Sequence, residues 1–394
     1  MEIGKMAQRR CKCLPLMLLT GLFLGFPPVL WGTQWQPFPV LAGPDNQEAP
    51  DVSGTMVVWH EFVEQYGDYD IYVADVNDPG APETFIIGDA NDQMYPVVYD
   101  NIVIWQDYIV SQGAEDWDVH FADTTDFNNL QVYAAGNEIG VDETQPAIHG
   151  SIISWQSLIG DDTDINGADI SDPLSPFRFP VASFEFDQQT PAVHRTHVIW
   201  QDNFFGDWDI YLADIWQKNK PTEVAVAAFE ADQSNPAISG ANLVYQDNYF
   251  GDWDVYVSDI SDPQNPIETL IAATEADQKH PDIDGNIVVW QDNRNGNWDI
   301  FGYNLTTRLE FQITDDAADQ TNPAISGNLL VWQDNRDGPW NIYAVVLDGP
   351  ETARCLTRPA GDLNDDCITN FADLALMSVG WLECGLDQAQ ICGQ

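Results

Sequence analysis

A proline followed at a fixed distance by a large aromatic recurs through most of the chain, and this recurrence constrains the fold more than any other feature. Pro50, Pro96, Pro146, Pro191, Pro236, Pro281 and Pro323 are each followed nine residues later by Trp59, Trp105, Trp155, Trp200, Tyr245, Trp290 and Trp332. The prolines close a DQxxP motif or a near variant, and the seven copies lie about 45 residues apart. A repeat of that length means one supersecondary unit that buries its apolar face only against its neighbours.

Within a copy, a short segment leads from the proline to a turn and then to a β-branched or Leu run ending in the aromatic, as in Ile287, Val288, Val289 and Trp290. A QDN triplet and a Gly turn follow, then WDIY with period-two alternation, as in Asp202, Asn203, Gly206, Trp208, Asp209, Ile210 and Tyr211. That pattern is a hairpin. A further turn, such as Ser261 to Pro263, leads to a fourth strand such as Glu268 to Ala272. Four strands per unit predict an all-β, seven-bladed β-propeller; no 3.6-residue period supports a helical repeat. Ahead of the first copy, Phe38, Pro39 and Val40 align with Phe179, Pro180 and Val181. Residues 36–42 therefore read as a fourth strand without a blade of its own, one that closes the ring beside the strand around Asn341 to Leu347.

The chain carries 63 acidic and 14 basic residues, a net charge of −49. Such a surface repels nucleic acid and anionic membranes, because phosphate binding needs clustered Lys and Arg. Its 15 Trp, 13 Tyr and 18 Phe give it more apolar area to bury than a disordered polyanion has. Lys5, Arg9, Arg10 and Lys12 precede an uncharged apolar run from Leu14 to Trp31, the pattern of an export signal, with cleavage expected near Gly32. This gives a signal segment at 1–32, a propeller at 33–357 and a tail at 358–394. The expected location is secreted, periplasmic or cell surface, with no membrane span once the signal is cleaved.

The segment DQSNPAISGANLVYQDNYFGDWDVYVSDI, Asp232 to Ile260, resembles the TolB-like β-propeller repeat of exported surface proteins. The resemblance covers residues 36–357 and implies a fold rather than an activity, since propellers host many functions.

If the strands run outward from the axis, the loops carrying DQxxP and QDN emerge on one face. Asp92, Asp142, Asp187, Asp232, Asp277 and Asp319 would then lie beside Asp107, Asp202, Asp247, Asp292 and Asp334. Capping of turn N–H groups is the first expectation for these acids, and a carboxylate ring for Ca²⁺ or a basic partner is the second. The aromatics that end the second strands should pack between blades; for Trp117, Trp208, Trp253, Trp298 and Trp340, which follow turns, packing between blades is the first expectation and sugar stacking on partly exposed rings the second. The histidines His60, His120, His149, His194, His197 and His280 fall at scattered repeat phases, with only His149 and His194 in register. No nucleophile elbow, HExxH, Walker loop or dinucleotide fingerprint is present. Copy three departs most, with Ser157 and Leu158 in place of DN and Thr163 in place of the second Trp, and is where a specialised site would show.

In the tail, Asp362, Asn364, Asp366, Ile368, Asn370 and Asp373 fall at positions one, three, five, seven, nine and twelve of an EF-hand-like loop. Oxygen ligands at that spacing, Ile368 offering its carbonyl, suit Ca²⁺. The segment resembles one half of a type I dockerin, with Cys367 at the usual loop Gly; the resemblance implies Ca²⁺-dependent attachment to a cohesin-like partner. Cys355, Cys367, Cys384 and Cys392 all lie in this region and are expected to be oxidised, with three pairings open. Together these features predict a secreted or cell-surface binding and scaffolding protein with a protein or polysaccharide partner on the propeller. A carbohydrate-active lyase or hydrolase is the alternative.

Overall fold

A computed structural model describes residues 35–347, apart from 65, 78–82, 112–113 and 219. The signal segment, Asp362, Asn364, Asp366, Ile368, Asn370, Asp373 and the four tail cysteines lie outside the described residues. Seven four-stranded antiparallel sheets are present, one per copy. The last is composite: Gln320–Ser326, Leu329–Asp334 and Asn341–Val346 are joined by the N-terminal Phe38–Leu41, which pairs antiparallel with Asn341–Val346. Phe38 lies opposite Ala344 and Pro39 opposite Tyr343, so the first strand closes the ring as its likeness to Phe179–Val181 predicts. Among the described residues no helix is long and apolar enough to cross a membrane.

The core is divided among the seams between blades. Val244, Val255, Val257 and Ile271 of blade 5 pack with Ile283, Val288, Trp290 and Phe301 of blade 6. Across the closing seam, Ala324, Val331 and Ile342 of blade 7 pack with Val52, Val57 and Trp59 of blade 1. The repeat aromatics are nearly completely buried, with Trp59, Trp200, Trp290 and Trp332 at 0% exposure, because each fills the wedge between two twisted sheets. Trp117, Trp208, Trp253, Trp298 and Trp340 are half-buried.

The innermost strands line the axis and share one irregularity. The residue before each repeat proline, Ala49, Tyr95, Gln145, Thr190, Asn235, His280 or Asn322, has a φ between 50° and 53°. This left-handed conformation costs energy in non-glycine residues. It is held by a hydrogen bond from the neighbouring blade: the strained N–H donates to the side chain that follows the preceding blade's aromatic. His280 N–H reaches Gln246 Oε1 at 2.9 Å and Asn322 N–H reaches Gln291 Oε1 at 2.9 Å. Ala49, Gln145, Thr190 and Asn235 pair with Gln333, Gln106, Gln156 and Gln201. His60 Nδ1 accepts from Tyr95. The ring thus repeats one backbone-to-side-chain link at every seam, to glutamine at six and to His60 at the seventh.

Candidate acidic and aromatic face

The DQxxP loops and the QDN turns do meet on one face. Asp187 N–H donates to Asn203 Oδ1 at 3.0 Å while Asn203 N–H donates to the Asp187 carbonyl at 3.1 Å, and the pairs Asn248/Asp232, Asn293/Asp277 and Asn335/Asp319 repeat the exchange. The acids themselves serve the backbone, as the capping expectation holds. Asp232 accepts from Trp208 N–H at 3.1 Å, and Asp92, Asp142, Asp187, Asp277 and Asp319 accept from Tyr69, Trp117, Thr163, Trp253 and Trp298. Asn46 takes the same role for Trp340 across the closing seam. Each bond joins the third strand of one blade, or the residue just before it, to the loop of the next. Asp202, Asp247, Asp292 and Asp334 cap their own turns by accepting N–H bonds from the residue two positions on. Among the described residues no group of three or more His, Cys, Asp or Glu side chains is arranged to hold a metal ion.

A second row of acids stands directly across the hairpin from the first. Asp202 lies opposite Asp209, Asp247 opposite Asp254 and Asp292 opposite Asp299. Burial, reinforced by neighbouring carboxylates, pushes Asp70, Asp209, Asp254 and Asp299 up to about 6. Burial likewise lifts Asp118 to about 6.

The copies diverge at the hairpin tips. Blades 6 and 7 read Asn293-Arg294-Asn295-Gly296 and Asn335-Arg336-Asp337-Gly338, whereas blades 4 and 5 read Asn203-Phe204-Phe205-Gly206 and Asn248-Tyr249-Phe250-Gly251. In all four the Gly N–H closes the turn on the Asn carbonyl, and the Gly φ lies between 98° and 106°, so the frame of the turn is unchanged. The arginines fold down onto acids of their own blades, whereas Phe205 is 69% exposed and Phe250 65%. Phe186 and Phe229, from the adjoining loops, are exposed beside them, with Phe186 edge-on to Phe204 at 5.8 Å. Sequence reasoning missed this cluster, although comparing the copies at this position would have separated Phe and Tyr from Arg.

Three further places gather residues that are not shared by all copies. The axial channel has a volume of ≈ 580 Å³. Asp51 and Asp282 line it; burial lifts them to about 7 and about 6, although Asp51 accepts from Val98 N–H and Asp282 from Ile325 N–H. In blade 3, Glu143 replaces the buried Gln of the motif and lies opposite Ser157, which replaces the usual acid. One carboxylate has changed strands, and burial lifts it to about 8. The rest of the degenerate copy keeps the frame: Asn166 Nδ2 donates to Ser157 Oγ, and Thr163 donates to Asp187 from both N–H and hydroxyl. Leu158 is exposed. His149 and His194, in register in the sequence, meet with ring centroids 4.3 Å apart, and burial lowers the pKa of both.

No protein-family model matches the sequence, and no curated protein matches it. Among solved structures, a puromycin-hydrolysing peptidase of Mycobacterium tuberculosis is similar over 82% of this chain at 14% identity and a TM-score of 0.59. The chain spans about half of that peptidase, 54% of its length. Oligogalacturonate lyase from Vibrio parahaemolyticus is similar over 82% of this chain and 95% of its own, at 9% identity and a TM-score of 0.61. TolB from Acinetobacter baumannii aligns over 65% of this chain and 62% of its own, at 14% identity and a TM-score of 0.46. At these identities the likeness is one of fold, and the chain is a seven-bladed β-propeller of four-stranded blades.

Proposed function

We propose that this is a secreted or cell-surface binding and scaffolding protein, whose propeller takes a protein or glycan on the hairpin tips of blades 4 and 5. The observation that carries the reading is the exposed set Phe186, Phe204, Phe205, Phe229, Tyr249 and Phe250, gathered in neighbouring blades of an otherwise acidic chain. Clustered aromatic area of this kind is expected where a partner covers it, and flat rings suit either sugar stacking or a protein interface. The tail would add Ca²⁺-dependent attachment to a cohesin-like partner. Asp362, Asn364, Asp366, the Ile368 carbonyl, Asn370 and Asp373 would hold the ion, and the cysteines would staple the segment.

The test is capture of glycans and of secreted proteins on the immobilised full chain, with Ca²⁺ and with chelator. The double variant Phe205→Ser/Phe250→Ser should lose the ligand taken by the parent. Capture that the double variant leaves unchanged overturns the reading. A polysaccharide lyase or hydrolase is the second reading, favoured by the axial channel, where Asp51 and Asp282 sit among residues not common to every blade. New chain ends from an acidic polysaccharide, lost in Asp51→Asn/Asp282→Asn, would support it.

A further inference from the structure

The turn arginines of blades 6 and 7 show what a blade's acidic pocket receives. In blade 6 the Arg294 guanidinium lies over the Phe301 ring, 4.2 Å from its centroid. Its Nε donates to Asp292 Oδ2 at 2.9 Å and its Nη1 donates to Glu310. In blade 7 Arg336 lies 4.5 Å over Tyr343 and donates to Asp334 from Nε at 2.9 Å and from Nη2. A planar cation is thus clamped between carboxylate and ring in both blades.

Blade 5 repeats the receiving groups at the same register. Asp247 stands for Asp292, Tyr256 for Phe301 and Glu268 for Glu310. The arginine is replaced by Tyr249, which is exposed. A second exchange accompanies the first: Tyr245 stands where the other blades have Trp, and its hydroxyl donates to Glu268 Oε1 at 2.8 Å. In blade 6, by contrast, Trp290 Nε1 donates to Asp292 Oδ2 at 3.2 Å. Here lies a cavity of ≈ 430 Å³, with Phe229, Glu230 and Phe250 beside Asp247, Glu268 and Tyr256. No Lys, Arg or His lines it. Burial raises the carboxyl pKa of both Asp247 and Glu268.

We infer that the blade 5 pocket binds the guanidinium of an arginine side chain from a basic protein partner, supplying from outside the group that blades 6 and 7 supply themselves. The inference rests on the binding reading above and names the chemistry of its partner. Arginine fits better than lysine, because its fork can span two carboxylates while its face stacks on Tyr256. A net charge of −49 draws a basic partner toward this face.

The test is calorimetric titration of the full chain at low salt with N-acetyl-arginine methylamide, and with the lysine analogue as control. One saturable site is expected, with the lysine compound and the Glu268→Gln variant each weaker by about tenfold or more. Tyr249→Arg should fill the pocket as Arg294 does and abolish the site; Glu268→Gln keeps the test decisive if that variant does not fold. Uptake without saturation, or equal binding by parent and Glu268→Gln, overturns the inference and shows only attraction to a polyanion. A glycan or protein still captured through Phe205 and Phe250 in that case leaves the binding reading standing. Saturable amide binding without any such capture would support the pocket and remove the wider face.

Discussion

Blades 5 and 6 are built on one frame and end differently. Both bury an aromatic at the end of the second strand, both cap the turn with an Asp, and both tie that turn to the preceding loop through an Asn. Blade 6 then folds Arg294 onto Asp292 and Glu310, closing its acids on itself, whereas blade 5 offers Tyr249 and Phe250 to solvent and leaves Asp247 and Glu268 beside a cavity. The recurring residues of this chain are therefore those that hold blade to blade. On the proposed reading, capacity to bind lies where copies disagree.

The sharpest way to break this division is to compare a frame residue with a tip residue in blade 4. Trp200→Ala removes a wholly buried side chain and should cost about 3–5 kcal/mol. Phe205→Ser, one of the exposed rings, should cost within about 0.5 kcal/mol. Urea unfolding of the two variants checks both, and equal losses would erase the distinction between frame and face.

The next effect belongs to the seam acids. Asp232→Ala orphans the Trp208 N–H and loses the bond from Asn248 Nδ2, and should cost about 1–3 kcal/mol by the same measurement. A neutral outcome would mean that water satisfies the Trp208 N–H equally well.

The buried acids of the third strands give a pH signature. Asp254 is held up to about 6 from a reference of 3.8, so the folded chain binds this proton more tightly than the unfolded chain does. Its contribution to stability is full below the reference value and is lost as pH rises through about 6. Asp254→Asn should therefore be more stable than the parent at neutral pH and should match it in acid, in chemical denaturation at both pH values. A difference that does not change with pH would contradict the assignment.

Smallest is the strain at the axis. Thr190 is β-branched and held at a φ of 53°, so Thr190→Gly should raise stability by about 0.5–1 kcal/mol, the relief of strain being partly offset by greater freedom of the unfolded chain. A loss of stability would show that the threonine side chain contributes more than its backbone costs.

The number of blades, the four strands in each and the closing role of Phe38–Leu41 were all legible in the repeat, because fixed offsets between proline, aromatic and turn residues encode strand length directly. The shared face of the acids followed from topology alone. The left-handed residue before each proline was not legible: Ala, Tyr, Gln, Thr, Asn and His occupy it without a glycine among them, since a hydrogen bond from another blade holds the conformation there. The blade 5 pocket was hidden for a related reason. It depends on Tyr245 and Tyr249 together with Glu268 of the fourth strand, and these gain meaning only against Trp290, Arg294 and Glu310 of the next copy.

The most direct measurement is the stoichiometry of N-acetyl-arginine methylamide binding to the full chain and to its double variant Trp290→Tyr/Arg294→Tyr, which gives blade 6 the counterparts of Tyr245 and Tyr249. One site is expected in the parent and a second in the variant, because the acids and ring of blade 6 already receive a guanidinium. An unchanged stoichiometry, with the variant folded, would contradict the claim that these two positions decide whether a blade closes on itself or opens to a partner.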